Sequence, residues 1–164
     1  MTEQFFMDVD WGSLDFLILD LPPGTGDIQL TLTQKIKMTG AIIVTTPQDI
    51  ALSDVRKGAD MFKKVNTPVL GVVENMSGLL LSGNTNNPTS KIHINNEELE
   101  IDANGDFNIN IDIFKKDGGQ KESKRLGVPL LGKIPLSKEI MNATDSGIPI
   151  VVSDSNQKTG RVYF

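Results

Sequence analysis

The residues best suited to chemistry in this sequence lie in one segment near its start. An apolar run, Leu14–Leu19, leads directly into Asp20 and then into a turn that contains Pro22, Gly24 and Gly26. Such a run predicts a parallel strand buried on both faces, with Asp20 at its carboxyl end, the edge where open α/β sheets bind ligands. Glycine can take positive φ and let backbone N–H groups approach a phosphate. Asp20 could hold a hydrated magnesium ion there.

The same segment also fits an ordinary turn between a strand and a helix. Asp27 would then do no more than cap the helix that begins near Ile28. Patterns of strand, aspartate and glycine are common in α/β proteins, so this spacing alone does not separate the two interpretations.

Further polar loops follow other predicted strands. In parallel sheets such loops gather at one edge, where ligands bind. Asn75 carries both a donor and an acceptor and suits the edge of an adenine, while Pro135 and Leu136 could form an apolar wall for the base. The alternative for Asn75 is a simple turn residue. The loops are Val44–Asp49, Val73–Ser77 and Gly132–Glu139.

Apolar periodicity predicts the elements that position these loops. Strands separated by helices of this length indicate βαβ units, so the expected fold class is α/β, a partial doubly wound parallel sheet. The predicted helices are Asp27–Lys37 and Gln48–Val65, and the predicted strands after Leu14–Leu19 are Ala41–Thr46, Val69–Val73 and Leu130–Ile134.

An insertion, residues 79–114, interrupts this pattern. Leu79–Pro88 is rich in Gly, Asn, Ser and Thr and is typical of a mobile loop. Apolar residues then alternate through Lys91–Phe114 around Asn104-Gly105, which predicts an inserted antiparallel β meander with a hairpin. The acidic run Asp102–Asp106 could suggest a calcium loop, but it lacks the ligand series of an EF-hand. The insertion could also be a protein-binding surface or an ordinary decorated loop.

The remaining segments fit one domain, residues 1–152, with a polar tail, residues 153–164. The first ten residues look like the end of an amphipathic helix. Lys115–Leu126 is predicted to be a glycine turn followed by a helix whose basic residues form a solvated face. The tail has no apolar period and is expected to be disordered or docked on a partner.

Composition narrows the classes of function. The 164 residues contain no cysteine, which excludes disulfides, thiol nucleophiles and iron-sulfur sites held by this chain's own thiolates. His93, the single histidine, is interpreted as an exposed strand residue rather than as a metal ligand or catalytic base. A net charge of −5 argues against a nucleic-acid partner, and no apolar run approaches the roughly 20 residues that span a membrane.

The order of the strand-end motifs resembles the Mrp family of P-loop ATPases, which carry iron-sulfur clusters and are related to MinD and the nitrogenase iron protein. The resemblance covers residues 1–78 and about 114–152. The matching runs are Trp11–Leu32, Thr45–Asp49, Val72–Ser77 and Leu130–Pro135.

This resemblance implies roles for particular residues. Asp20 looks like the Walker B aspartate, which binds Mg²⁺ through water, and Gly24 looks like the switch glycine near the γ-phosphate, with Pro22 beside it. Asn75 looks like the adenine-reading residue. The family fold is a doubly wound sheet of the P-loop NTPase type that dimerises around ATP. Family members carry a 4Fe-4S cluster to client proteins and lie in the cytoplasm, or in an organelle matrix if a targeting segment precedes them.

Two departures limit what the resemblance implies. No glycine-rich P-loop with its lysine occurs in the sequence, so we expect the carboxyl-terminal part of the family domain alone, without efficient ATP hydrolysis. The family's Cys-x-x-Cys after Asn75-Met-Ser is also absent, so no iron-sulfur ligands are expected. The alternative function is a non-enzymatic interaction module on the same core.

The missing P-loop strand has a structural consequence. In the family it lies beside the Walker B strand, so Leu14–Leu19 is expected to have unpaired backbone groups along one edge. We expect self-association to cover that edge, as a homo-oligomer that is a dimer or a strand-exchanged assembly.

Overall fold

The computed structural model describes residues 8–21, 26–87, 91–94 and 97–153. Helices and strands alternate along most of this length. The helices are α1 (Asp27–Lys35), α2 (Asp49–Lys64), α3 (Gly118–Leu126), α4 (Lys138–Ser146) and α5 (Ile150–Ser153). The strands are β1 (Ala41–Thr45), β2 (Val69–Asn84), β3 (His93–Ile94), β4 (Glu97–Glu98), β5 (Asp106–Ile111) and β6 (Leu130–Leu136).

The main sheet is built around the long strand β2. Its first half pairs in parallel with β1 on one side and with β6 on the other. Its second half pairs antiparallel with β5, so that β2 and β5 form a two-stranded ribbon beyond the parallel sheet. The α/β fold class with an inserted antiparallel segment is therefore confirmed.

The core lies between the parallel strands and the helices on one face of the sheet. Ile43 of β1, Val72 of β2 and Ala59 of α2 are buried together at its centre. Alternation along β1 directs Ile43 into this core and leaves Ile42 and Val44 on the opposite face, exposed. One face of the parallel sheet is thus covered by helices, while β1 leaves apolar side chains uncovered on the other.

The predicted strand over Leu14–Leu19 is wrong. These residues adopt no regular secondary structure, and no strand in the described part of the chain pairs with them. Phe16 and Ile18 are 86% and 89% exposed instead of buried. An apolar run forms a strand where neighbouring strands take up its backbone hydrogen bonds, and no strand in the described part of the chain does this for Leu14–Leu19.

The predicted loop after β2 is also partly wrong, because residues 79–84 continue the strand. Leu79–Asn84 pairs with Ile111–Asp106 of β5, so the main partner of β5 lies outside the predicted meander. At Asn104-Gly105 the predicted turn is present: the Asp102 N–H donates to the Asp106 carbonyl at 2.9 Å, and an isolated bridge joins Ile101 to Phe107. The local hairpin is therefore short, and the long-range pairing with β2 supplies most of the partners of β5.

The other predicted elements agree with the structure within a few residues. His93 is exposed in the short strand β3, as predicted. The predicted helix in the first ten residues falls largely on residues 1–7, and the tail from residue 154 onward likewise lies outside the described residues. No helix in the described ranges is long and apolar enough to cross a bilayer.

Candidate functional site

The ends of the parallel strands meet at one edge of the sheet. The register places Thr45 of β1 opposite Glu74 of β2, and Asn75 of β2 opposite Ile134 of β6. The loop after β1, the middle of β2 and the end of β6 therefore lie side by side, as the sequence predicted for the carboxyl edge.

Asn75 lies where β2 changes from parallel to antiparallel pairing. Met76 takes a left-handed conformation (φ 53°) and Gly78 a φ of 130°, and the register with β6 shifts between Asn75 and Leu79. The backbone N–H of Met76 donates to the Asn75 Oδ1 atom at 2.9 Å. Positive φ at a residue that is not glycine costs energy and often marks ligand sites. This irregularity holds the half-buried Asn75 side chain at the edge of the sheet.

Two features of the neighbouring strands suit a ligand beside Asn75. Pro135 and Leu136, at the end of β6, are half-buried and directly follow Ile134, the residue opposite Asn75. On the other side of β2, the Thr46 hydroxyl follows β1 and is buried without a hydrogen-bond partner in the described part of the chain. Buried polar atoms without partners are rare in folded proteins, so this hydroxyl fits a hydrogen bond to a bound molecule.

A buried carboxylate, Glu74, fixes α3 against this edge. Its side chain is 2% exposed and accepts a hydrogen bond of 2.6 Å from the backbone N–H of Gly119, in the first turn of α3. Lys133 of β6 lies 3.8 Å from the Glu74 carboxylate and donates to Asp117 at 2.5 Å. The bond to Asp117 and the nearby charge of Glu74 raise the pKa of Lys133, and the same bond lowers the pKa of Asp117.

The first two residues of α3 must be glycine for this contact to form. A Cβ atom on Gly118 would lie 2.7 Å from the carbonyl oxygen of Pro47, and one on Gly119 would lie 2.8 Å from the Cβ of Glu74. The start of α3 therefore touches both the loop after β1 and the side chain of Glu74. Together with Lys133 of β6, these contacts connect the loop after β1 to β2 and β6 through the start of α3.

A second buried carboxylate, Glu122, joins α3 to α2. It accepts hydrogen bonds from Arg125 of its own helix at 2.5 and 2.8 Å and from Arg56 of α2 at 3.4 Å. Arg125 remains 38% exposed, so it still belongs to the predicted solvated face of α3, and its hydrogen bond to Glu122 raises its pKa. Lys121 and Lys124 are exposed, as that interpretation required.

Sequence reasoning missed the Glu74 cluster, although one signal was present. A carboxylate directly after the apolar run Val69–Val73 of a parallel strand needs a partner if it is buried, because charged groups are almost never buried unpaired. The partners, Gly119 and Lys133, lie far along the chain, so no local pattern could identify them. For Glu122 no comparable signal exists, because a charged residue in a polar helix is ordinarily solvated.

The predicted phosphate side of the site is described only in part. Asp20 is exposed at the end of the irregular segment that replaces the predicted strand. Pro22 and Gly24 lie outside the described residues. The structure thus brings together Asn75, Pro135 and Leu136 and does not join Asp20 to them through strand pairing.

The donor groups present fit a nucleotide better than an iron-sulfur cluster. In the ranges that the structure describes, no group of His, Cys, Asp and Glu side chains could hold a metal ion, and the sequence has no cysteine. A 4Fe-4S cluster held by thiolates of this chain therefore does not fit. The Thr46 hydroxyl, the Asn75 amide and the apolar Pro135 instead suit an aromatic base with polar edges.

Comparison with known proteins places these features in a family. The sequence profile of the NUBPL iron-transfer P-loop NTPases matches residues 1–102 and 97–164. An iron-sulfur cluster carrier protein of Pseudomonas fragi is 41% identical over 160 residues, which are 98% of this chain and 48% of the relative. The mouse iron-sulfur cluster transfer protein NUBPL is 42% identical over 162 residues, 99% of this chain and 44% of the relative.

The fold agrees with a solved relative. A nucleotide-binding protein of Archaeoglobus fulgidus, solved in complex with ADP, matches with a TM-score of 0.65 and 27% identity. That match covers 99% of this chain and 56% of the other. The chain spans about half the length of the curated relatives it matches. The profile and the relatives confirm the resemblance drawn from the motifs: the chain belongs to the family of NUBPL iron-transfer P-loop NTPases.

Proposed function

We propose that this chain is an adenine-nucleotide-binding component of iron-sulfur cluster transfer that reads the base but does not hydrolyse ATP efficiently by itself. The observation that carries the proposal is the buried Thr46 hydroxyl, which has no hydrogen-bond partner among the described residues and lies at the strand edge that also holds Asn75. Membership of an iron-transfer NTPase family supports the nucleotide and the pathway. The 164 residues contain no glycine-rich lysine loop, which is why hydrolysis is not assigned to them.

The base would be recognised by Asn75. Its Oδ1 atom already accepts from the Met76 N–H, which fixes the side-chain plane. The amide N–H groups then remain to donate to a ring nitrogen of adenine, and the second lone pair of Oδ1 can accept from the exocyclic amine. Pro135 and Leu136 supply the apolar surface beside the ring.

The phosphates would lie toward Asp20 and Gly24. We assign to Asp20 the role of holding Mg²⁺ through a water molecule, and to Pro22 and Gly24 the turn beside the γ-phosphate, as in the family motif. Mg²⁺ bound in this way neutralises phosphate charge. The phosphate cradle itself would have to come from residues other than these 164, so we expect weak binding in which the base contacts dominate.

In this proposal the iron-sulfur cluster is cargo that is transferred between proteins and is not bound by this chain. Since this chain offers no thiolate, its contribution to transfer would be nucleotide-dependent contact with carrier or client proteins rather than cluster ligation. We further propose that it forms a homo-oligomer, and that it acts in the cytoplasm or in an organelle matrix. The acidic net charge supports protein partners over nucleic acid.

Base recognition can be tested with two substitutions at the strand edge. Thr46→Val keeps the side-chain volume but removes the orphan hydroxyl, so we expect unchanged or slightly higher stability together with nucleotide binding weakened about fivefold to tenfold. Asn75→Ala should weaken ATP and ADP binding by about tenfold or more. Isothermal titration calorimetry with ATP, ADP and GTP measures these effects.

The matched control is Ser53→Ala, on the exposed side of α2, where the hydroxyl bonds only to the Ile50 carbonyl. We expect it to bind ATP like the unsubstituted chain. The proposal fails if the unsubstituted chain binds no adenine nucleotide, or if Thr46→Val and Asn75→Ala bind as tightly as Ser53→Ala.

A second candidate function is a non-enzymatic interaction module that uses the ribbon of β2 and β5. The register puts Leu81 opposite Ile109 on one face of the ribbon and Ser82 opposite Asn108 on the other, where their side chains are hydrogen-bonded at 2.8 Å. Leu81 is exposed, and a two-stranded ribbon with one apolar face is marginally stable unless that face is covered. This amphipathic ribbon supports a protein-binding role.

Paired substitutions on the two faces test the ribbon. Leu81→Ser with Ile109→Ser should lower capture of client proteins by about tenfold, because the apolar face is lost. Ser82→Ala with Asn108→Ala changes the polar face and should leave capture unchanged. Pull-down with purified iron-sulfur client proteins measures this, and equal capture by both double variants would contradict the interaction-module hypothesis.

A further inference from the structure

Two arginines on the helix layer share one buried carboxylate. Glu122 of α3 is 1% exposed, and its two oxygens accept hydrogen bonds from different helices. Arg125 of α3 donates through Nε and Nη2 to Oε1 at 2.8 and 2.5 Å, and Arg56 of α2 donates through Nε to Oε2 at 3.4 Å. One carboxylate therefore faces two guanidinium groups, which leaves a positive charge uncompensated within this trio.

Both guanidinium groups also face solvent. The Arg56 side chain is 55% exposed and that of Arg125 is 38% exposed, while Glu122 fixes the Nε side of each group. These bonds use only part of the N–H donors that a guanidinium group carries. The remaining donors suit the two oxygens of a carboxylate, and because both arginines are already held in place, less side-chain entropy is lost when they bind one.

The helices α2 and α3 are basic, in contrast to the chain as a whole. Together they contain seven basic and four acidic residues, a net charge of +3, whereas the whole chain has a net charge of −5. Three of the four acids are ion-paired, and the fourth, Asp60, acts on Arg125 at longer range. The helices therefore present more positive charge to a partner than their own acids neutralise. The pairs are Glu122 with both arginines, Asp49 with Lys115 and Asp54 with Lys57.

This positive charge lies on the outer side of the helix layer. The inner side of each helix packs on the sheet, where Val55 of α2 and Leu126 of α3 contact the core. Further strands would lengthen the sheet in its own plane, so the outer surface does not depend on how far the sheet continues. We define the basic face as the two arginines and the exposed lysines outside the Lys57–Asp54 pair: Arg56, Lys63, Lys64, Lys121, Lys124 and Arg125.

The composition of the basic face favours a protein partner over a membrane or a nucleic acid. Both helices are described throughout, and Ile50 is their only exposed large apolar side chain, so the face offers little to insert into a bilayer. Phe62, their only aromatic residue, is half-buried and gives no platform on which bases could stack. Clustered guanidinium groups without either feature suit the carboxylates of an acidic protein segment.

We propose that the basic face is a docking site for an acidic segment of a partner protein, whose carboxylates bind Arg56 and Arg125. Glu122 is a positioning residue, because it holds both guanidinium groups while lying beneath the surface that the partner contacts. The surrounding lysines add attraction that is screened by salt. This site uses neither the strand edge of Asn75 nor the ribbon of β2 and β5, so it stands independently of both proposed functions.

Fluorescence anisotropy with a short labelled peptide of alternating glutamate and serine tests the site. We expect this peptide to bind at least about tenfold more tightly than its counterpart with glutamine in place of glutamate, and to bind more weakly as salt is raised. Arg56→Gln should weaken binding about fivefold to tenfold, and it leaves Glu122 paired with Arg125. Lys91→Gln, at an exposed lysine of the insertion, removes the same charge elsewhere and should change binding less than about twofold.

Two further variants separate the positioned arginine pair from net charge alone. Arg56→Lys with Arg125→Lys keeps every charge but loses both planar groups, and we expect binding to weaken about fivefold. Glu122→Gln adds net positive charge to the face, yet its amide N–H groups point at one of the arginines, so binding should weaken rather than tighten. Circular dichroism verifies that each variant is folded. Tighter binding by Glu122→Gln with unchanged binding by the double lysine variant would overturn the positioned pair.

Other results would contradict the docking site itself. The proposal is wrong if the glutamate peptide binds no more tightly than the glutamine peptide, or if Arg56→Gln binds it like Lys91→Gln. Vesicles of phosphatidylcholine with phosphatidylserine, and oligothymidylate, serve as competitors. If either displaces the labelled peptide more effectively than unlabelled glutamate peptide does, the ligand is a membrane or a nucleic acid and the proposal fails. Equal loss of binding in the Leu81→Ser, Ile109→Ser chain would place the peptide on the ribbon instead.

Discussion

Glu74→Ala is expected to lower the free energy of unfolding by about 3 kcal/mol. The substitution leaves the N–H of Gly119 buried without its acceptor and removes the carboxylate that faces Lys133. It also opens a gap beneath the first turn of α3, which packs directly on the Glu74 side chain. Lys133 is partly exposed, so water replaces its interaction with Glu74 at low cost, and the lost backbone hydrogen bond dominates.

Urea unfolding followed by circular dichroism measures this loss, with the slope of the transition compared between variants. Glu74→Gln is the matched control, since its amide oxygen can still accept from Gly119, and we expect a loss of about 1 kcal/mol. Equal losses in the two variants would mean that the charge of Glu74, rather than the acceptor for α3, provides the stabilisation.

The second large expected effect is on the rate of ATP hydrolysis. ATP hydrolysis by this chain alone is expected to be at least about a thousandfold slower than that of an intact P-loop ATPase in the same assay. Phosphoryl transfer depends on positioning the phosphates and neutralising their charge, and the sequence contains no glycine-rich lysine loop to do this. The metal contact proposed for Asp20 would not compensate, because a metal ion without the cradle does not align the attacking water.

The Asp20→Asn variant distinguishes weak ATP hydrolysis by this chain from hydrolysis by a contaminating ATPase. We expect the phosphate released by this variant and by the unsubstituted chain to be the same and close to that of buffer. Turnover within about tenfold of the intact enzyme, lost on Asp20→Asn, would contradict the assignment and would show that these residues build a complete phosphate site.

Local sequence patterns were sufficient for the regular parts of the fold. The β-branched run Ala41–Thr46, closed by Pro47, identified β1, and helical spacing identified α2 to within a residue at each end. The strand-end motifs placed Asn75, Pro135 and Leu136 at one edge of the sheet, and the register between β2 and β6 puts them side by side there, while their role in binding stays a prediction. The predicted elements hold because short-range periodicity and turn residues set where such elements begin and end.

Predictions that depended on distant partners were less secure. Leu14–Leu19 has the composition of a buried strand, but composition does not supply a neighbour, and the segment is exposed. Residues 79–84 have the composition of a loop, yet six paired positions with β5 make them a strand. In both cases the presence or absence of a partner strand outweighed intrinsic propensity.

The sequence by itself determined the family, the α/β class and the absence of cluster thiolates, because these follow from motif order, apolar period and composition. Only the tertiary structure decided that Glu74, Gly119 and Lys133 form one cluster. Only the tertiary structure also decided that, within the ranges it describes, the buried Thr46 hydroxyl has no hydrogen-bond partner and β1 pairs with β2 alone. Each of these depends on residues distant in sequence meeting, or failing to meet, once the strands have paired, and no local pattern records that outcome.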